Sequence, residues 1–220
     1  MRATTLTETT IMATTRGHGT AARGIEVVVV GGSTGALDVL ASILPALPPD
    51  FPIPVALVLH LPPTRPSMLP EVLGARCALA VREAEDKVPL VAATLYVAPP
   101  NYHLLVESRR CLSLSVDPPV FFSRPAIDVL FESAADAYGP AVVGVLLTGA
   151  SEDGARGLRR IEDAGGTTVV QSPDTAVASA MPEAALRLCH PTHVLPIAEI
   201  GQWLARLGRP EVAAPREVNR

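Results

Sequence analysis

Short, unbroken runs of Val, Leu and Ile recur along this 220-residue chain, at Ile25–Val30, Pro54–His60, Leu95–Ala98, Ala141–Thr148, Thr167–Gln171 and His193–Leu195. A strand with one wet face alternates apolar and polar residues. Continuous apolarity marks strands buried on both faces, as in a parallel sheet. Between the runs lie segments of helical periodicity: Ala36–Leu44, Ser67–Arg76, Pro125–Ala137, Gly154–Ala164, Pro182–Leu188 and Ala198–Leu207. Parallel strands need long crossovers, and these helices supply them. The expectation is an α/β fold, a doubly wound, mostly parallel sheet with helices on both faces. Tyr102–Val106 and Cys111–Val116 flank Ser108-Arg109-Arg110 and are expected to add a small antiparallel hairpin. The 22 prolines fall mainly at segment edges, where they stop elements.

The length fits one domain, expected over residues 25–207. Residues 1–24 are rich in Thr, Ala and Gly and read as a disordered tail, and residues 208–220 as a loose C-terminal one. The start has no apolar core of a secretory signal, and no run approaches the ~20 residues of a membrane span, so direct membrane insertion is not expected. Formal charge is −4, and Arg124, Arg156 and Arg159 are scattered rather than clustered, which argues against a nucleic-acid partner. Cys77, Cys111 and Cys189 are odd in number and far apart, as expected of a reduced, cytoplasmic setting.

Chemistry concentrates at strand ends. Gly31-Gly32-Ser33-Thr34-Gly35 follows the first run and leads into a helical segment. A G-x-S-x-G there can be a nucleophile elbow, its glycines permitting a turn too tight for a Cβ. A phosphate-cradling loop is the competing reading. A dinucleotide loop, however, needs glycine where Ser33 stands and an acid at the end of the second strand, where His60 stands. A Walker A loop would end in Gly-Lys-Ser/Thr, which is absent. Asp153 follows the fourth run, in Thr148-Gly149-Ala150-Ser151-Glu152-Asp153-Gly154. Carboxyl ends of parallel strands share one edge, so Ser33, His60 and Asp153 are expected on one rim. Serine needs an imidazole to take its proton, and a carboxylate on the far ring nitrogen fixes the tautomer. Each residue also has a plainer reading: Ser33 or Thr34 as a helix cap, His60 bonded to backbone, Asp153 as a cap before Gly154.

These segments resemble the catalytic domain of the bacterial chemotaxis receptor methylesterase (CheB) family. The likeness rests on Gly31–Gly35, Leu59-His60-Leu61-Pro62-Pro63, Arg82–Asp86 with Tyr96-Val97-Ala98-Pro99, Arg124–Phe131, and Leu147-Thr148-Gly149 with Asp153-Gly154-Ala155. Met181-Pro182 lies beyond them, and the match runs in order over residues 25–205. The resemblance implies Ser33 as nucleophile, His60 as base and Asp153 as orienting acid. It implies hydrolysis of glutamate γ-methyl esters on the cytoplasmic helices of methylated chemoreceptors, with release of methanol, and deamidation of certain glutamines. It implies no metal or organic cofactor. Oxyanion donors are expected near Thr34, Gly149 and Ala150. His103 is expected either to line the cleft or to serve structure, and Arg124 to hold an acidic substrate helix or bridge to a local carboxylate.

Departures from the family are Leu59 where it carries glutamine, Ala150 where it carries methionine, and Thr64-Arg65-Pro66-Ser67 after the histidine. The family also carries an N-terminal receiver domain, for which residues 1–24 are too few. The expectation is a stand-alone catalytic domain, constitutive, controlled by a receiver protein in trans, or a fragment. Two alternatives stay open: a serine esterase or amidase on another substrate, and a non-catalytic signalling adaptor. Cys189-His190 with His193 reads as packing rather than half a metal site, Trp203 as the packed face of the last helix, and Asp128 as solvated or capping.

Overall fold

The computed structural model describes residues 24–60 and 67–207. The expectations for residues 1–23, 61–66 and 208–220 lie outside the described residues. The main sheet has seven strands: β1 (Val27–Gly32), β2 (Val55–Leu59), β3 (Ala80–Glu83), β4 (Thr94–Val97), β7 (Val142–Leu146), β8 (Thr167–Gln171) and β9 (His193–Leu195), in the order β3-β4-β2-β1-β7-β8-β9. Every pairing in it is parallel. The remaining strands, β5 (His103–Glu107) and β6 (Cys111–Ser115), form the expected antiparallel hairpin.

Successive strand residues point to opposite faces. In β1, Val27 and Val29 enter one core and Val28 and Val30 the other. That is why the run is continuous: neither face is wet. On one face pack α1 (Ala36–Ile43), α2 (Leu69–Gly74) and α6 (Ile197–Leu207), through Leu40, Leu73 and Leu204. On the other pack α3 (Ile127–Tyr138), α4 (Ala155–Asp163), α5 (Ala180–Leu188) and the hairpin, through Phe131, Leu158, Met181 and Leu104. The doubly wound architecture is therefore as the sequence implies. Trp203 packs with Ile200 and Leu204 against the core that holds Val28 and Val30, as expected.

Two details differ. Strand β3 was not expected; it is a four-residue edge strand with mostly exposed side chains, so it lacks the apolar signature of its neighbours. Helix α5 begins at Ala180, two residues before the expected Pro182. Proline is tolerated in a first turn because an N–H there has no intrahelical acceptor.

The chain leaves β1 toward β2 and returns to the opposite side of β1 at β7. The reversal opens a crevice at the carboxyl ends of β1 and β7, the place where open α/β sheets bind ligands.

Candidate active site

Ser33 is the first residue beyond β1, and His60 the first beyond β2 rather than its last residue. Gly32 and Leu59 are register partners, so Ser33 and His60 leave adjacent strands side by side. The Ser33 N–H donates to the Thr148 carbonyl at 2.9 Å, which carries the β1–β7 ladder one step past both strands. The turn then needs Gly35, whose φ is 82°. A Cβ there would also sit 2.5 Å from Cβ of Val177. Gly31 and Gly32 are fixed by space instead: a Cβ would lie 2.2 Å from Ile127 and 2.6 Å from Ala36 respectively.

The His60 Nε2–H donates to Asp153 Oδ2 at 2.7 Å. An ionised carboxylate only accepts, so the hydrogen lies on Nε2 and the Nδ1 lone pair is left for another partner. The expected His–Asp contact is thus present. Ser33 Oγ makes no hydrogen bond with any described residue. Asp153 is fully buried, and it also accepts the N–H of Ile127 at 2.7 Å and that of Asp128 at 2.9 Å. Three donors on one buried carboxylate compensate its loss of water. The plainer reading of Asp153 placed it at the start of its own helix, α4. It sits instead at the start of α3, where helix dipole and free N–H groups favour an anion.

Asp128 returns the arrangement. It lies in the first turn of α3 and is buried, not solvated. Its Oδ1 accepts the N–H of Gly154 at 2.9 Å and of Gly157 at 2.8 Å, at the start of α4, and Oδ2 accepts Arg156 Nε at 3.0 Å. Each helix start is held by an acid from the other segment. Burial pushes the Asp128 carboxyl up, the Gly157 N–H pulls it down, and the charge of Asp153 pushes it up further.

Three residues hold the floor beneath the serine that the sequence reading did not single out for this role. Thr148 Oγ1 accepts the Ala178 N–H at 2.9 Å, and its hydroxyl hydrogen reaches the Thr34 and Ala178 carbonyls. Gln171, fully buried at the end of β8, accepts the Thr148 N–H at 2.9 Å and donates to the Thr175 carbonyl at 3.0 Å. Met181 packs so closely that a Cβ on Gly149 would lie 2.6 Å from its sulfur and 3.1 Å from Cβ of Ser33. The available signal was a polar residue ending an apolar strand run, Thr148 after one and Gln171 in another.

Among the expected oxyanion groups, Gly149 needs correction. Its N–H donates to the Ala178 carbonyl at 3.0 Å and is not available to substrate. The backbone N–H groups of Thr34 and Ala150, both exposed residues, make no hydrogen bond with a described residue. Of the two places expected for His103, it takes the structural one. It is buried, its Nδ1 accepting the Ala126 N–H and its Nε2–H donating to the Pro118 carbonyl, each at 3.2 Å, so neither nitrogen is left to a cleft. Arg124 binds no carboxylate among the described residues. It donates to Asn101 Oδ1 at 2.7 and 3.1 Å and to the Val116 and Asp117 carbonyls at 2.7 and 3.0 Å. Cys189 is buried with its thiol on the Ala185 carbonyl and its pKa raised to about 11 by burial. The His193 ring lies 5.0 Å from that of Trp203.

Residues 28–204 match the family described as CheB methylesterase. A protein of Anaeromyxobacter dehalogenans named protein-glutamate methylesterase/protein-glutamine glutaminase 2 is 44% identical over 185 residues, 84% of this chain and 54% of that protein. One of Archaeoglobus fulgidus, named for the same two activities, is 41% identical over 182 residues, 81% of this chain and 52% of its own length. A relative from Leptospira interrogans, provisionally named for them too, is 41% identical over 182 residues, 83% of this chain and 94% of that protein. The chain therefore spans about half of the first two and nearly all of the third. The crystal structure of the Thermotoga maritima CheB methylesterase catalytic domain superposes with a TM-score of 0.80 at 31% identity, covering 84% of this chain and all of that one. The strand-end serine, histidine and aspartate thus lie within a chain that belongs to the CheB methylesterase family.

Proposed function

We propose that this protein is a protein-glutamate methylesterase, hydrolysing glutamate γ-methyl esters on chemoreceptors in the cytoplasm, with glutamine deamidation as the parallel reaction. The observation that carries the reading is the His60 Nε2–Asp153 contact at 2.7 Å beside a serine on the adjacent strand end. Ser33 Oγ attacks the ester carbonyl carbon while His60 Nδ1 takes its proton. Negative charge develops on the carbonyl oxygen, and the N–H groups of Thr34 and Ala150 are the donors left to meet it. The intermediate collapses to an acyl-serine, and the departing methoxide takes the proton from His60 and leaves as methanol. Water then gives a proton to His60 and attacks the acyl-serine. Ser33 departs with that proton, and glutamate is released. Asp153 keeps Nδ1 unprotonated at rest and stabilises the imidazolium formed twice per cycle. With an amide substrate the same steps release ammonia. This chemistry asks for no metal or organic cofactor. Among the described residues, no helix is long and apolar enough to cross a membrane.

The test uses receptor-bearing membranes methylated with labelled methyl groups. Wild type releases labelled methanol, and Ser33→Ala releases it at least about a thousandfold more slowly. Equal release by the two removes Ser33 as nucleophile. No release by folded wild type, with Ser33 still labelled by a fluorophosphonate, removes the ester assignment but not the serine chemistry.

A further inference from the structure

The segment between the hairpin and α3 carries an aromatic pair that the fold does not bury. Phe122 is fully exposed, and Phe121 is 41% exposed. Both sit on left-handed backbone, at φ 60° and 47°, in a tight turn closed by reciprocal hydrogen bonds between Val120 and Ser123 of 3.1 and 2.8 Å. Such a turn favours Asn-Gly, and a bulky residue at positive φ is an outlier. Two phenylalanines there give up favourable backbone conformation and put apolar area into water.

The turn is nonetheless held firmly. His103 ties Pro118 to Ala126, joining the two ends of the loop. Arg124 ties Val116 and Asp117 to Asn101. The ring of Phe121 lies 5.2 Å from the guanidinium carbon of Arg156, which is itself anchored on Asp128. Tyr102 and Val116, next to the groups that Arg124 holds, are exposed as well. An apolar patch is thus displayed on a braced loop linked to the site through Arg156 and Asp128, whose own N–H is bonded to Asp153 at the start of α3. Strain that the surroundings enforce, coupled to exposed aromatic area, marks an interaction surface.

We propose that the Phe121–Phe122 turn docks the protein that carries the esterified glutamate, by receiving an apolar residue on the same face of an amphipathic substrate helix. This rests on the methylesterase reading. An extended substrate would bind most simply by adding a strand to an open sheet edge. Among the described residues, the open edges of the main sheet are β3 and β9, each three strands away from β1 and its serine, and the β5–β6 hairpin forms a sheet of its own. A helix satisfies its own backbone and so can reach Ser33 without a sheet edge. A helix that turns one side chain toward the serine presents neighbours at i+3, i+4 and i+7 along the same face. A knob of exposed aromatic rings suits such a stripe.

The test is the double variant Phe121→Asn/Phe122→Gly, with Phe122→Ser as its partner. Asn-Gly suits the turn, so the double variant melts no lower than wild type. Its kcat/KM on methylated receptor membranes falls about tenfold, chiefly through KM, as expected for loss of an aromatic anchor. Hydrolysis of a γ-methyl ester of N-acetylglutamate amide stays at the wild-type rate. Unchanged kinetics on the membranes overturn the docking proposal alone, as does a parallel loss on the small ester. A wild-type dimer that the variants abolish, with receptor kinetics unaltered, assigns the turn to self-association instead. Wild type that cleaves the small ester but no receptor overturns the methylesterase reading and the docking together.

Discussion

At the scale of the residue, Asp128 shows how an acid that touches no reacting atom in the proposed mechanism can still govern the site. Its Oδ1 is the acceptor for two N–H groups at the start of α4. Asp128→Ala orphans both and is expected to destabilise the protein by about 3 kcal/mol in urea unfolding. Asp128→Asn keeps an oxygen for them and loses only Arg156, so it should retain most of that stability. The pH dependence separates the two effects. A carboxyl raised by burial holds its proton more tightly when folded. Its contribution to stability is therefore complete below the unfolded value, about 4, and is lost as pH rises through the raised folded value. Across that window the wild type should lose stability relative to Asp128→Asn. Melting curves of the two proteins that stay parallel with pH would contradict this account. The sequence left Asp128 as solvated or capping and could not choose, because one acid on an apolar-striped helix looks the same whether it faces water or a neighbouring helix start. Which of its two expected roles His103 takes was illegible for a related reason: its partners are backbone atoms of Pro118 and Ala126, which carry no side-chain signature. Arg124 pairs with the neutral Asn101 side chain and two carbonyls, so no opposite charge announces the contact.

At the scale of the element, the loops that leave β1 and β7 share a construction. Each enters its helix through a glycine at positive φ, Gly35 at 82° and Gly154 at 94°, with the candidate residue one or two places earlier. The helix that follows then starts beneath the site. Gly35→Ala forces a Cβ into Val177 on backbone that disfavours it. The expected cost is about 2 kcal/mol, with slower fluorophosphonate labelling of Ser33 as the turn shifts. Unaltered labelling and stability would mean that the turn relaxes freely. The central strands β1, β2 and β7 were legible because burial on both faces leaves no polar residue in them. Strand β3 was not, since an edge strand with exposed side chains has no such constraint. Ser33, His60 and Asp153 could be placed on one rim from parallel topology alone. Which helix holds Asp153 could not, since that contact joins segments 25 residues apart in sequence.

At the scale of the whole molecule, β1 is the wall common to both cores, with alternate valines in each. Neither core survives without that strand, so unfolding should be a single transition. Val28→Ala and Val29→Ala remove methyl groups from opposite faces of one strand. Each should cost roughly 2 kcal/mol, with one transition retained by both fluorescence and circular dichroism. Two separable transitions would show that the faces unfold independently. The same wall sets where chemistry can occur, because β1 has the reversal of strand order at its end and supplies Ser33 there.

The hold of α3 on Asp153 gives that helix leverage over the proton relay. The aspartate is carried by the segment after β7, yet two of its three donors are backbone groups of α3. A small tilt of α3 would shift the carboxylate against the imidazole and weaken the relay without moving the serine. The braced aromatic turn sits at the near end of that helix. Force applied there by a bound protein has a short mechanical route to the orientation of the His60 ring.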